Sequence, residues 1–264
     1  MEWDPDLSKY PEYWKARLKR GFGMKSGLDY RPWLRVRDVP SMGTSSNVTG
    51  ITIPRRYDFL STPETIYFHL LDRQPDVVDI REQFPILHLV ATQTLCAEHK
   101  VKHPHKGHFP EPFTLDFLVT RKTESGLVYQ ARSVKTVDDA QDPATQERLN
   151  IEFQWCSAIQ LDWKLVDVSG FTTDLLSTLL FMRAWSLHGY KPSSALAEDF
   201  SEAFMGVYEK NVPLNELIEV TSKKMRRSYA LAKDDFRYCA WRALIPADIC
   251  APMQLNLPLI LNAK

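Results

Sequence analysis

The sequence predicts an α/β domain, in which helices flank a mixed β-sheet, followed by a mostly helical domain. In the first part of the chain, short apolar strand patterns and helical patterns follow one another in the order helix, strand, strand, strand, helix, strand. In the last third, apolar residues recur at helical spacing. A chain of 264 residues, 44% of them hydrophobic, is long enough for two domains. We therefore predict domains at residues 1–168 and 169–264.

Strands are predicted where short runs of apolar and β-branched residues are bounded by turn residues. Two of these runs are joined by the turn Glu124-Ser125-Gly126, which predicts a hairpin. Residues 77–80 and 84–87 flank a further strand-like or bent segment. The predicted strands cover residues 51–53, 113–119, 127–135 and 163–168.

The helices of the first domain are predicted from their start and stop signals. Ser61 suits the N-cap, and Pro63 the first turn, of a helix that continues to about Asp72. A basic helix over residues 9–20 stops at a glycine, and another helix covers about 143–159.

The second domain is predicted to be a winged-helix-like, partner-binding domain. Its helices are expected at residues 171–187, 194–208, 214–224 and 233–244. The last two are short, adjacent and basic, which is compatible with a helix-turn-helix. Residues 251–261 are assigned to the wing.

The overall charge gives no information on partners, because lysine plus arginine and aspartate plus glutamate both total 33. The distribution is more informative. Basic residues are concentrated between Lys9 and Arg37 and between Lys223 and Arg242. Such zones bind phosphate backbones or form ordinary solvated surface, and both interpretations stay open.

Several classes of protein are not expected. The four cysteines are scattered without paired spacing, so a disulfide-stabilised secreted protein is not predicted. The start of the chain has no signal-peptide pattern. Residues 175–187 are the most apolar stretch, but they are few and include Arg183. We expect a cytoplasmic protein without a membrane span.

A carboxylate and a lysine on the predicted hairpin indicate phosphodiester chemistry. Asp116 lies in a run of Phe, Leu and Val, and Lys135 ends the neighbouring strand. A carboxylate can hold a divalent cation against a phosphate, while an ammonium orients water or stabilises negative charge. Alternatively, Asp116 faces water on an edge strand and Lys135 is a solvent-facing lysine. The pair together favours the functional interpretation.

Glu64 is the best candidate for a further metal ligand. It stands three residues after Ser61, which is also the spacing of a capping box. A carboxylate in the first turn of a helix can cap the helix and still face what lies beyond it. Both roles therefore stay open.

A group of cysteine and histidine residues competes for the metal. Cys96 and His99 have a spacing that suits zinc, and more histidines follow. Prolines interrupt the segment and it has one thiolate, so the alternative is a polar surface loop that touches DNA. The group comprises Cys96, His99, His103, His105 and His108.

Several segments contain distinctive mixtures of polar and aromatic residues: Gly27–Leu34, Val39–Gly43, Leu60–Glu64, Val78–Pro85, Val101–Pro104, Asp116–Val119 and Val134–Lys135. The triplet Ser133-Val134-Lys135 is a degenerate form of the PD-(D/E)xK ending. Over roughly residues 20–168 the chain resembles the TnsA family, the endonuclease subunits of heteromeric bacterial transposases.

The resemblance implies a restriction-endonuclease-like fold followed by a winged-helix domain. It assigns catalytic roles to Glu64, Asp116 and Lys135. Ser133 stands where the family has a glutamine ligand, and this departure puts a second metal ion in doubt. The Val134 carbonyl could coordinate directly, and Glu152 on the following helix could approach the site. The expected cofactor is Mg²⁺, one or two ions, held with water and substrate phosphate.

The same resemblance implies the partners. The nuclease would cut the 5′ ends of a transposon beside a TnsB-type transposase, which cuts and joins the 3′ ends. The C-terminal domain would bind a TnsC-type ATPase regulator. The alternative is a non-catalytic adaptor between protein partner and DNA, for which Ser133 is the best sequence support.

Overall fold

Residues 1–38 and 45–262 are described by the structure, a computed structural model, and they fall into two units, Met1–Ser169 and Gly170–Lys264. The helices of the first unit are α1 (Glu12–Lys19), α2 (Thr62–Asp72), α3 (Leu89–His99), α4 (Val137–Gln141) and α5 (Pro143–Ala158). Its strands are β1 (Ser46–Thr49), β2 (Arg56–Phe59), β3 (Val77–Pro85), β4 (His105–Lys106), β5 (Phe109–Pro110), β6 (Thr114–Thr123), β7 (Gly126–Val134) and β8 (Asp162–Val166). Three short 3₁₀ turns cover Leu7–Lys9, Gly27–Asp29 and Val36–Asp38.

The central sheet of the first unit has four strands in the order β3-β6-β7-β8. The pairs β3–β6 and β6–β7 are antiparallel, and the pair β7–β8 is parallel. Helix α5 makes the long connection from β7 to β8 that a parallel pair requires. The predicted α/β architecture, a mixed sheet with flanking helices, is confirmed, and it fits a restriction-endonuclease-like fold.

The sheet is covered on both faces, which explains its apolar strands. Phe117 and Val119 on β6 enter one hydrophobic cluster with Phe68 of α2. Leu118, between them, enters a second cluster with Trp155 of α5. Successive strand residues point to opposite faces, so a strand covered on both sides is apolar throughout.

Two details of the first unit differ from the sequence prediction. Residues 51–53 form a bend rather than a strand. The amides of Ile51 and Thr52 donate to the carboxylate of Asp72, at 2.9 and 2.8 Å, so they do not enter a strand ladder. The strands on either side, β1 and β2, pair with each other instead.

Helix α3 was not predicted. It contains Val90, Thr92 and Thr94, and β-branched residues are poor helix formers. Tertiary packing stabilises it, since Thr92 and Cys96 are buried. The strand-like or bent segment that residues 77–80 and 84–87 were predicted to flank lies within one strand, β3, which ends at Pro85.

The second unit is helical. It contains α6 (Thr173–Arg183), a 3₁₀ turn (Ala184–His188), α7 (Ser194–Met205), α8 (Leu214–Lys224) and α9 (Tyr229–Trp241). Helix α9 begins earlier than predicted because Ser228 accepts a hydrogen bond from the Leu231 amide and caps it. Within residues 170–262, β pairing is limited to two isolated bridges, Pro213–Pro258 and Ala247–Leu261. The wing therefore stays a prediction. Across the described residues, every helix is too short or too polar to cross a membrane.

Candidate active site

The hairpin of β6 and β7 brings Asp116 and Lys135 together. The register pairs Phe117 with Arg132, so Asp116 lies opposite Ser133 at the end of the ladder. Oδ2 of Asp116 accepts hydrogen bonds from the Val134 amide at 2.7 Å and from Nζ of Lys135 at 2.5 Å. The same Nζ donates to the Val134 carbonyl at 3.1 Å. Asp116 is only 7% exposed, so its carboxylate depends on these partners.

Glu64 reaches the same site from the first turn of α2. Its Oε1 accepts from the Ser61 hydroxyl at 2.9 Å and its Oε2 from the Leu60 amide at 3.2 Å. Ser61 in turn accepts from the Glu64 amide at 3.3 Å. Glu64 therefore caps α2 in a reciprocal arrangement, and its carboxylate is buried at the head of the helix.

Glu64, Asp116 and Lys135 line one cleft of about 250 Å³. Three residues far apart in the sequence thus converge, as the sequence predicted. Helix α5 forms another wall of the cleft through Arg148 and Glu152. The other lining residues are Leu34, Leu60, Gln83, Thr114, Thr145 and Leu149.

Ser133 lies behind the cleft. It is fully buried and donates a hydrogen bond of 2.6 Å from its hydroxyl to Oε2 of Glu152. It accepts another, of 3.1 Å, from the Trp163 indole. Ser133 therefore contacts the site through Glu152, which is 5% exposed and itself lines the cleft.

The charges in the cleft are unbalanced. Burial, followed by the negative charge of Asp116, raises the pKa of Glu64 to about 7. The same two causes raise the pKa of Glu152 to about 7. Burial lowers the pKa of Lys135, but Asp116, Glu152 and Glu64 outweigh it and the net pKa is raised. Lys135 and the exposed Arg148 face three carboxyl groups, so the cleft still favours additional positive charge or protons.

Gln83 was missed by the sequence analysis, although it lies in the resembling segment Val78–Pro85. It lies in β3 with a φ of 46°, in the left-handed region. Its Nε2 donates to Oε2 of Glu64 at 3.3 Å, and its Oε1 accepts from the Thr114 hydroxyl at 3.3 Å. Neither the backbone conformation nor the cross-strand position leaves a local pattern in the sequence.

The cysteine and histidine group is spread over α3 and the β4–β5 hairpin. Cys96 is buried in α3, and burial raises the pKa of its thiol. His103 is buried, with Nε2 3.0 Å from the Thr92 hydroxyl and Nδ1 3.0 Å from the Pro104 carbonyl. In residues 1–38 and 45–262, no three His, Cys, Asp or Glu side chains are grouped so as to hold a metal ion by themselves. This is also true of the carboxylates Glu64, Asp116 and Glu152 in the cleft, so a metal ion there would need further ligands besides them.

Some residues of the basic zones have structural roles. The guanidinium of Arg17 lies 4.7 Å from the Trp33 ring centroid and pairs with Asp38 at 3.4 Å. In the second unit, Arg227 pairs with the buried carboxylate of Asp235 at 2.7 Å. A larger cleft of about 800 Å³ near the N-terminal basic zone includes Lys19, Arg20, Lys25 and Arg31. Its carboxylates, Glu2 and Asp29, are exposed, whereas Asp116 and Glu64 are buried.

Comparison with known proteins shows what the first unit is similar to. Residues 74–167 match the family described as TnsA-like endonuclease N terminal. Over 147 residues the chain is 35% identical to transposon Tn7 transposition protein TnsA of Escherichia coli. Within the first unit, the chain is therefore similar to the TnsA family. The predicted resemblance is confirmed, and the TnsA-like range contains Asp116, Ser133, Lys135 and Glu152, whereas Glu64 precedes it.

The similarity to TnsA covers only part of each chain. The matched region is 56% of this chain and 53% of the E. coli protein, so the chain spans about half of that relative. Of the segments in which the sequence resembles TnsA, Val39–Gly43 lies outside the described residues. The other segments lie within the first unit.

Proposed function

We propose that this chain is a Mg²⁺-dependent DNA endonuclease that cuts the 5′ ends of a transposon. One observation carries the proposal: Asp116 and Lys135 are in direct contact at 2.5 Å inside a cleft that Glu64 also lines. A carboxylate pair with an adjacent ammonium is suited to hydrolysis of a phosphodiester. The family match supports the same chemistry.

The residues of the cleft fit a divalent cation. Asp116 Oδ2 and the Val134 carbonyl both accept from one positive atom, Nζ of Lys135, so two oxygens converge on a single point. Carboxylate and carbonyl oxygens are ligands that Mg²⁺ prefers. Burial and then the negative charge of Asp116 raise the pKa of Glu64, and a bound cation would offset the repulsion from Asp116. Glu64, Asp116 and the Val134 carbonyl would hold the ion.

Bound in this cleft, a divalent ion would supply an activated water and neutralise charge on the phosphate. Lys135 stays protonated at neutral pH because its pKa is raised, and it would turn from Asp116 towards the scissile phosphate. There its ammonium would stabilise the negative charge that develops on the phosphoryl oxygens. In-line attack by water would leave a 3′ hydroxyl and a 5′ phosphate.

We propose that Ser133 acts by orienting Glu152 rather than by direct coordination. Its hydroxyl is already engaged with Glu152 at 2.6 Å and with Trp163 at 3.1 Å. Glu64, Asp116 and the Val134 carbonyl would then hold one ion together with water and substrate phosphate. A second ion would take its remaining ligands from DNA and water.

The proposed partners follow from the family. We infer that the TnsA-like unit acts on transposon ends in the cytoplasm, beside a TnsB-type transposase. The second unit, as a winged-helix-like domain, would bind a TnsC-type ATPase regulator. Removal of residues 170–264 should then abolish capture of the regulator and leave the fold of the first unit intact, as measured by pull-down and circular dichroism. Capture at full strength by the truncated protein would refute this division.

The decisive experiment measures nicking of the 5′ strand. The protein is mixed with its partner transposase, transposon-end DNA and Mg²⁺, and alone it is expected to cut poorly. Asp116→Ala and Lys135→Ala should each lower nicking by at least about 100-fold, the usual scale for loss of a catalytic group. Lys122→Ala, an exposed lysine on β6, is the matched control. Unchanged nicking in both site variants would refute the assignment.

A non-catalytic adaptor is the second candidate, and the serine at position 133 favours it. An adaptor would assemble with transposase and DNA, yet wild-type protein would give no 5′ nick in the complete reaction. Asp116→Ala would then leave assembly unchanged. A 5′ nick that depends on Asp116 excludes the adaptor.

A further inference from the structure

Gln83 has an unusual backbone conformation for its place in the fold. The described residues other than glycine with positive φ are Gln83, Lys100, Gln160, Asn211, Arg226 and Ala243. Four of these follow the C-terminal ends of helices, where the left-handed region is common, and Asn211 lies in a turn. Gln83 alone among them is inside a β-strand. Such strain persists where the surrounding structure enforces it, and it is concentrated at functional sites.

Burial, a backbone hydrogen bond and the strand register fix the position of Gln83. It is 2% exposed, and its neighbours Glu82 and Phe84 are fully buried. Its carbonyl accepts a hydrogen bond of 3.1 Å from the Trp33 amide. The register pairs Glu82 with Phe117 and Phe84 with Leu115, which places Gln83 across from Asp116.

The side chain of Gln83 connects the sheet to the helix that carries Glu64. Its amide donates to Glu64 Oε2 at 3.3 Å and accepts from the Thr114 hydroxyl of β6 at 3.3 Å. The other donors to Glu64 in the described structure are Leu60 and Ser61, which immediately precede α2. They fix Glu64 relative to its own helix. Gln83 fixes it relative to the strand of Asp116.

We propose that Gln83 is a positioning residue, which holds the Glu64 carboxylate beside Asp116 so that both face one divalent cation. The inference rests on the proposed metal-dependent function. The left-handed backbone at Gln83 directs the amide into the cleft and towards α2. A residue that acts in this way should affect cation binding more than it affects folding.

Substitution by glycine separates these two effects. Glycine adopts positive φ without strain, so Gln83→Gly removes the amide while favouring the native backbone. Gln160→Gly is a matched control, since Gln160 is an exposed glutamine with a φ of 56° outside the cleft. Gln160→Gly should keep or raise the thermal midpoint of the wild-type protein. Gln83→Gly also loses two buried hydrogen bonds and should lower the midpoint, so circular dichroism at the temperature of the binding experiment checks that it is folded.

The readout is Mn²⁺ binding to the metal-free full chain, followed through the electron paramagnetic resonance signal of the free ion. We expect Gln83→Gly to weaken binding roughly 10-fold or more, as for other groups that orient a metal ligand. Gln160→Gly should bind as wild type does. Wild-type binding that Asp116→Ala abolishes and Gln83→Gly leaves unchanged would overturn the role of Gln83 alone. Absence of any binding that depends on Asp116 would overturn both this inference and the proposed metal dependence.

Discussion

The hydroxyl of Ser133 donates a hydrogen bond of 2.6 Å to the carboxyl group of Glu152, joining strand β7 to helix α5 behind the cleft. Both residues are buried. The contact gives Ser133 a structural role that is independent of any ion. We therefore expect a change at Ser133 to affect stability, whereas a change at Asp116 affects nicking.

Ser133→Ala should destabilise the protein. The variant leaves one oxygen of a buried carboxyl group and the Trp163 indole without a partner. A cost of about 1–3 kcal/mol is typical for a buried polar group that loses its hydrogen bond. Urea unfolding at pH 7 measures it. Unchanged stability together with lost nicking would instead indicate that Ser133 contacts the ion.

Glu152→Gln should change the pH dependence of stability in metal-free protein. The pKa of Glu152 is raised from an ordinary value of 4.5 to about 7, mainly by burial. The folded state thus binds the proton more tightly than the unfolded state. This stabilisation is complete below about pH 4.5 and is lost as the pH rises through about 7.

The glutamine variant is neutral at every pH and avoids that loss. It should be about 1–3 kcal/mol more stable than wild type at pH 8, with the difference vanishing near pH 4. Urea unfolding followed by tryptophan fluorescence across this range tests the prediction. Glu147→Gln, an exposed glutamate on the same helix, is the control. Parallel pH profiles for wild type and Glu152→Gln would contradict it.

Arg55→Met should be strongly destabilising. The Arg55 guanidinium donates to both carboxyl oxygens of Glu82, which is fully buried, and lies 3.6 Å from the Tyr57 ring centroid. Removing one member of a buried ion pair typically costs about 3–5 kcal/mol because the other charge stays buried.

Arg56→Met is the matched control for Arg55→Met, since Arg56 is the exposed neighbour of Arg55. Chemical denaturation compares the two variants. Equal and small effects would show that the ion pair between Arg55 and Glu82 contributes little to stability.

The β4–β5 hairpin should contact the DNA backbone. Lys102, His105, Lys106 and His108 are exposed on and beside it, and Phe109 stacks on Tyr13 at 4.9 Å. Each lysine that contacts a phosphate contributes about 0.9 to the slope of log affinity against log salt concentration. The double change of Lys102 and Lys106 to glutamine should therefore lower that slope by up to about 2.

The control is the same double change at Lys122 and Lys164, which are exposed on β6 and β8. Fluorescence anisotropy with labelled duplex DNA at several salt concentrations measures both slopes. Identical slopes for the two double variants would exclude the hairpin as a specific contact.

The parts of the site that the sequence predicted are those set by local rules. Asp116 and Lys135 approach each other because the turn before Gly126 fixes the hairpin register. Glu64 is placed by the Ser61 cap, which the sequence shows directly. In both cases a pattern of a few residues, the hairpin turn or the helix cap, determines where the side chain lies.

The parts that were missed depend on contacts between distant segments. Ser133 meets Glu152 and Trp163 only after α5 and β8 have packed on β7. The conformation of Gln83 follows from its confinement within β3, and no propensity indicates it. The bend at residues 51–53 likewise depends on a carboxylate in α2. Tertiary partners override local preference at these places.

Strand pairing and helix packing hold the two halves of the cleft in different ways. Asp116 and Val134 are held in the central sheet, by the pairing of β6 with β3 and of β7 with β8. Glu64 belongs to a helix that no backbone hydrogen bond ties to this sheet in the described structure. A small sliding of α2 therefore alters the spacing between the carboxylates without breaking the sheet. Because Phe68 of α2 is buried with Phe117 and Val119 of β6, such a shift would also disturb apolar packing, and the hydrogen bond from Gln83 to Glu64 opposes it.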